Sequence, residues 1–111
     1  MFHLKNLDVL NLEPMLQEIV EAVYERFGLD VVTSAFRPGD EGVHGTTPLR
    51  GIDFRCRDKF IGQHIAIWVN MRYRYDPDRI EKQCCICHDA GKGLHLHFQS
   101  HPDTIRIKDK W

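Results

Sequence analysis

The sequence has no long uninterrupted apolar run, no excess of one charge, no internal repeat and no low-complexity tract. Without an apolar stretch of about 18 residues no segment is long enough to span a bilayer. The opening residues Met1-Phe2-His3-Leu4-Lys5-Asn6 lead into Leu7-Asp8-Val9, which interrupts any apolar run before a signal-peptide core could form. Synthesis in the cytoplasm is the expectation. With 15 basic and 16 acidic residues and a formal net charge of -1, no polybasic face argues for a nucleic-acid or anionic-membrane partner. In a reducing compartment the four cysteines Cys56, Cys84, Cys85 and Cys87 are expected as thiols, not as a disulfide framework. The 111 residues, 42% of them hydrophobic, suffice for one compact domain over 1–111, which leaves no room for a separate binding module.

Periodicity supplies the elements. Leu12, Met15, Leu16, Ile19, Val20, Val23 and Phe27 recur at helical steps, with Asn11 placed as N-cap, Pro14 in the first turn and Gly28 as a left-handed C-cap. Residues 29–36 are rich in β-branched side chains and read as a strand ending at Arg37-Pro38-Gly39-Asp40. After a loop through Thr47-Pro48, the alternation in Gly51-Ile52-Asp53-Phe54-Arg55-Cys56 indicates a second strand. A second helix is expected from Phe60 to Tyr75, with Ile61, His64, Ile65, Trp68, Val69 and Arg72 at helical spacing and Asp76-Pro77-Asp78 as its stop. Residues 79–88 and 94–99 then form a hairpin around Asp89-Ala90-Gly91-Lys92-Gly93. Ile105 to Ile107 could add an edge strand.

The chemistry-bearing residues are scattered: Ser34 and Arg37 at the end of the first strand, His44 in the loop, Asp53 on the second strand, and His95-Leu96-His97 far downstream. Two imidazoles and a carboxylate suit zinc, and three protein ligands with an open fourth position suit hydrolysis. In a strand His95 and His97 share a face, so one can bind the ion while the other stands beside it, positioned to polarise a metal-bound water or stabilise the oxyanion. Arg37 is either a solvated loop charge or a bidentate anchor for an anionic substrate group. Gly51 is either a bulge or a close packing contact. If the hairpin turns at Gly91-Lys92, Asp89 lies opposite Leu94, off the histidine face, which weakens it as a general base. His3, His64 and His101 read as surface or hydrogen-bonded residues, and Trp68 and Tyr73 as core.

The order Ser-x-x-Arg, His, Asp at the head of a strand, helix, then His-x-His, over roughly residues 30 to 99, resembles the zinc D-Ala-D-Ala carboxypeptidases. That group also includes the L-alanyl-D-glutamate endopeptidases of phage endolysins and the zinc domain of hedgehog proteins. The resemblance implies an α+β domain with a small antiparallel sheet and flanking helices, acting on peptide bonds of peptidoglycan stem peptides. It places His44, Asp53 and His97 as the Zn2+ ligands, Arg37 and Ser34 as substrate-binding residues, and His95 as the catalytic histidine. Arg72-Tyr73-Arg74-Tyr75-Asp76-Pro77 and Gly91-Lys92-Gly93-Leu94-His95 look like small phage-encoded members, for which access to the cell wall would follow phage-assisted release. Two departures stand out. The nine-residue step from His44 to Asp53 is wider than the family's, and Gly91 and Leu94 stand where an acidic general base is usual.

Two other readings compete. Cys84-Cys85-Ile86-Cys87-His88 contains a formal C-x-x-C-H string, but attachment of a c-type haem needs export, and alternation along a strand keeps these side chains from converging on one ion. Buried reduced cysteines are the expectation there. The rival function is a non-catalytic zinc-binding domain with a structural or protein-interaction role.

Overall fold

The structure, a computed structural model, describes residues 2–3, 11–29, 31–35, 38–89 and 93–107. The expected strand end at Phe36, Arg37, the hairpin turn at 90–92, the tail from 108 and the side chain of His3 lie outside the described part.

Two α-helices and a small antiparallel sheet make an α+β fold. In chain order the elements are β1 (Phe2–His3), α1 (Pro14–Phe27), β2 (Val31–Ser34), a single 3-10 turn (Val43–Gly45), β3 (Gly51–Arg55), α2 (Lys59–Arg72), β4 (Tyr73–Arg74), β5 (Cys85–Asp89), β6 (Leu94–Gln99) and β7 (Ile105–Arg106). The main sheet has the order β1-β2-β3-β6-β5, and β4 pairs with β7 apart from it. All named pairs are antiparallel.

The alternation of β3 and β6 assigns the two faces of this sheet. Ile52, Phe54, Leu96 and Phe98 are all within 1% of complete burial and belong to one core with Leu16, Ile19, Val23, Ile65 and Val69 from the helices. Phe54 and Phe98 meet edge to face at 5.5 Å, a favoured aromatic geometry. The intervening residues Asp53, His95 and His97 therefore project from the other face, which neither helix supplies with core side chains.

Helix α1 matches the apolar stripe, and Gly28 does cap it, with φ 73° and its N–H on the Tyr24 carbonyl. Its N-cap is Glu13, not Asn11. Asn11 lies at φ 51°, and the longer Glu13 side chain accepts from Met15 N–H at 3.1 Å, Leu16 N–H at 3.2 Å and the Ser100 hydroxyl at 2.6 Å.

The second helix stops three residues short of the expected Tyr75. Tyr73 turns extended and pairs with Arg106, and Ile107 N–H donates to the Arg72 carbonyl at 2.7 Å. A distant backbone partner thus ends a helix that local periodicity would continue, and the expected edge strand at 105–107 belongs to this small second sheet. Ile61, expected on the buried side of α2, is 55% exposed; Gly62 takes the inward place instead, where a Cβ would lie 2.7 Å from Cys87 Sγ and 2.8 Å from Cys56 Sγ.

The strand expected over 79–88 begins only at Cys85, because residues 76–82 close hydrogen-bonded turns. Asn70 of α2 receives the N–H groups of Cys84 and Cys85, each at 3.1 Å, and donates to the Cys85 carbonyl at 2.9 Å. Replacing Asn70 with alanine leaves those backbone groups without partners. A loss of about 1–3 kcal/mol is expected, read from a urea midpoint at unchanged slope. The four cysteines are free: Cys84 and Cys85 are fully buried, and burial pushes the Cys84 thiol up to about 12 and the Cys85 thiol well above its usual value.

Candidate metal centre

The face without helices carries the site. Asp53 sits mid-β3, directly opposite His97 of β6 and beside Ser34 of β2. His44 arrives from the loop on the 3-10 turn, which packs on the head of β3. Gly51 is a close packing contact there, since a Cβ on it would stand 2.3 Å from Val43 Cγ2. The residues between His44 and Asp53 are held in place. Leu49 is buried and exchanges backbone hydrogen bonds with Asn11 and Glu13 at 2.8 Å, and the Arg50 guanidinium reaches the Ser100 carbonyl and the Tyr75 hydroxyl.

Three acceptor atoms converge as a result. His44 Nδ1 is 2.6 Å from the Ala35 carbonyl oxygen, which can only accept, so Nδ1 carries the proton and Nε2 the lone pair. That Nε2 is buried without a hydrogen-bond partner, 3.4 Å from Asp53 Oδ1. Gln99 donates its amide to the Gln83 carbonyl at 2.7 Å, which turns its Oε1 toward His97 Nε2 at 3.0 Å. His97 Nε2 therefore carries a proton, and in the neutral ring Nδ1 presents a lone pair to Asp53 Oδ1 at 2.7 Å. Ligand atoms of His44, Asp53 and His97 all lie within 4.8 Å of one another. Lone pairs this close repel unless a positive charge sits among them, either a proton on His97 or a metal ion. Burial pushes the Asp53 carboxyl up; when protons rather than lone pairs face it, hydrogen bonds and positive charge from the imidazoles of His44 and His97 outweigh that push and hold the group well below the usual carboxylate range.

The donor set is positioned to bind a metal ion. Each imidazole is oriented through its other nitrogen, His44 by the Ala35 carbonyl and His97 by Gln99, which is how ligand histidines are held. Replacing Gln99 with leucine frees that ring, and metal affinity is expected to fall about 10- to 100-fold, measured by competition with a chromophoric chelator.

A second carboxylate and imidazole group, Asp76, His101 and Asp103, is also compact. Two of its members are already engaged: Arg79 and Asp78 N–H hold Asp76, and His101 Nδ1 accepts from Asp103 N–H. No family model, curated protein or solved structure matches the sequence. The site must be read from its own geometry.

That geometry gathers most of the residues expected from sequence. Ser34, His44, Asp53, His95 and His97 line one cleft of about 1050 Å³, while Arg37 falls outside the described residues. His95 is half-buried, with Nδ1 3.3 Å from the Gly93 carbonyl oxygen. The hairpin register pairs Asp89 with Leu94, as expected, which sets it off the histidine face.

The same register puts His88 opposite His95, ring to ring at 4.1 Å, in the cleft. His88 was missed in the sequence because it reads as part of the cysteine run; counting back along the hairpin finds it. Burial, with smaller contributions from His95 and His97, lowers its pKa. Arg55 and Arg57 are likewise lining residues that their isolated positions in the sequence do not reveal. Among the other histidines, His64 packs its ring against Phe27 at 5.7 Å and stays exposed, as expected. No helix among the described residues is long and apolar enough to cross a membrane.

Proposed function

We propose that His44, Asp53 and His97 hold a zinc ion and that the chain is a metallopeptidase, hydrolysing peptide bonds of bacterial cell-wall stem peptides. The observation that carries this reading is the unpartnered, buried Nε2 of His44, aimed with two further lone pairs at one point beside an open cleft. For tetrahedral zinc with bonds of about 2.0–2.1 Å, ligand atoms stand about 3.3 Å apart. The 3.4 Å between His44 Nε2 and Asp53 fits, and the 2.7 Å contact at His97 is a proton-sharing distance that opens on binding.

Zinc at such a site supplies Lewis acidity toward a carbonyl oxygen and lowers the pKa of water toward neutrality. The chain's own part is positional. Ser34 and Arg37 anchor the substrate, and His95, one pleat along from His97, carries a proton or donates to the developing oxyanion. The peptidase assignment, the hedgehog-like grouping and a phage or prophage origin rest on the resemblance of the Ser-x-x-Arg, His, Asp and His-x-His pattern.

A second reading has an observation of its own. Apart from Asp53, no carboxylate among the described residues lines the cleft, which favours a zinc domain kept for structure or protein interaction. Zinc analysis combined with hydrolysis of stem-peptide fragments, on wild type and His95→Ala together, separates the two. Turnover by wild type, with zinc retained and turnover lost in His95→Ala, supports the peptidase. Stoichiometric zinc with no turnover of any fragment supports the binding domain.

A further inference from the structure

The cleft is asymmetric in charge. Asp53 and Arg55 are two residues apart on β3 and share one face, Arg57 follows in the bend between β3 and α2, and all three line the cleft. Both arginines are exposed. No hydrogen bond, ion pair or ring contact among the described residues engages either guanidinium. The contrast with other arginines is direct: Arg50 bonds the Ser100 carbonyl and the Tyr75 hydroxyl, Arg79 pairs with Asp76, and Arg106 pairs with Glu18. The nearest carboxylate in sequence, Asp58, is occupied in capping α2 through the N–H groups of Phe60 and Ile61. His95 stands opposite Arg55 on β6, with His88 against it. Asp53 is the cleft's one acidic side chain among the described residues, and a divalent ion more than neutralises it.

We propose that Arg55 and Arg57 form an oxyanion subsite, so that the cleft takes acidic ligands whose carboxylate or phosphate group lies beyond the group held at the metal. A strand rises about 3.3 Å per residue, which sets Arg55 about 7 Å along the face from Asp53, with Arg57 beyond the strand end. A ligand of two or three extended residues spans that interval. The planar forks of the two guanidinium groups suit two-point capture of an oxyanion, which lysine would not give. Arg55 lies on a different strand from Ser34. The subsite rests on the zinc site only for the ligand's first anchor.

The test compares N-acetyl-alanyl-glutamate amide with its glutamine counterpart, which has nearly the same shape and no charge. Both are titrated into zinc-loaded wild type and into the Arg55→Gln/Arg57→Gln double variant, with zinc content measured throughout. Wild type is expected to bind the acidic peptide about tenfold or more tightly, charge-assisted hydrogen bonds being about twice as strong as neutral ones. That preference is expected to weaken with added salt and to vanish in the double variant at unchanged zinc stoichiometry. Competition by inorganic phosphate and by acetate identifies the oxyanion: the stronger competitor names it. Equal binding of the two peptides by wild type, or a preference that survives in the double variant, overturns the subsite. Binding is read without turnover, so a protein that prefers the acidic peptide yet cleaves nothing refutes the peptidase and keeps the subsite. One that cleaves stem peptides but ignores the charge does the reverse.

Discussion

Replacing Asp53 with alanine is expected to strip the chain of its metal ion, lowering affinity by more than the roughly 100-fold that marks the upper end for residues outside the ligand set. Asp53 is the only anionic member of the triad and stands between the two imidazoles, 3.4 Å from His44 Nε2 and 2.7 Å from His97 Nδ1. Without it two neutral rings face each other with nothing to offset the charge of a divalent cation. Metal content after dialysis against a weak chelator checks this. A variant that keeps one ion per chain would remove Asp53 from the site.

The same carboxylate makes the metal-free protein sensitive to acid. Its pKa is held down in the folded state by His44 and His97, so the folded chain binds fewer protons there than the unfolded chain does. The stabilisation is therefore full above the unfolded value, near 4, and drains away as pH falls through the lower folded value. Metal binding moves the sensitivity upward, because acid must then protonate the ligands to expel the ion. In chelator, the wild type is expected to lose stability in the pH range below about 4, and Asp53→Ala to show a flatter profile.

The largest effect on the fold itself is expected at Phe98. Its ring is fully buried and meets Phe54 edge to face, and its neighbour in sequence is His97 of the proposed metal site. Truncation to alanine removes the ring from the layer between sheet and helices and leaves a cavity, costing about 3–5 kcal/mol. Against a typical total of about 5–15 kcal/mol, that is enough to unfold a marginal protein. Urea denaturation in the presence of chelator isolates this loss from the stabilisation a bound metal adds. A cost under about 1 kcal/mol, the range of a volume-conserving swap, would mean that the two faces of β6 are wrongly assigned.

Much of this arrangement was legible in the sequence where a rule is local. Helix α1 announces itself through its apolar stripe and Gly28, and the two-residue period of β6 puts His95 and His97 on one face and Leu94, Leu96 and Phe98 on the other. What escaped depends on partners far along the chain. Glu13 caps α1 while also accepting from Ser100, and Tyr73 leaves α2 to pair with Arg106. Gln99 fixes the His97 ring only because Gln83 turns its amide. The loop between His44 and Asp53 depends on such a partner too, since Leu49 is buried and bonded to Asn11 and Glu13 at the start of α1. His88 was hidden for a different reason, since the cysteines around it drew the eye to the opposite face of β5.

The central claim is that His44, Asp53 and His97 bind one metal ion and that the cysteines bind none. X-ray absorption on the zinc-loaded chain tests it most directly. One zinc per chain with only nitrogen and oxygen neighbours at about 2.0–2.1 Å is the result expected, and a sulfur shell at about 2.3 Å, or no stoichiometric zinc, would contradict it.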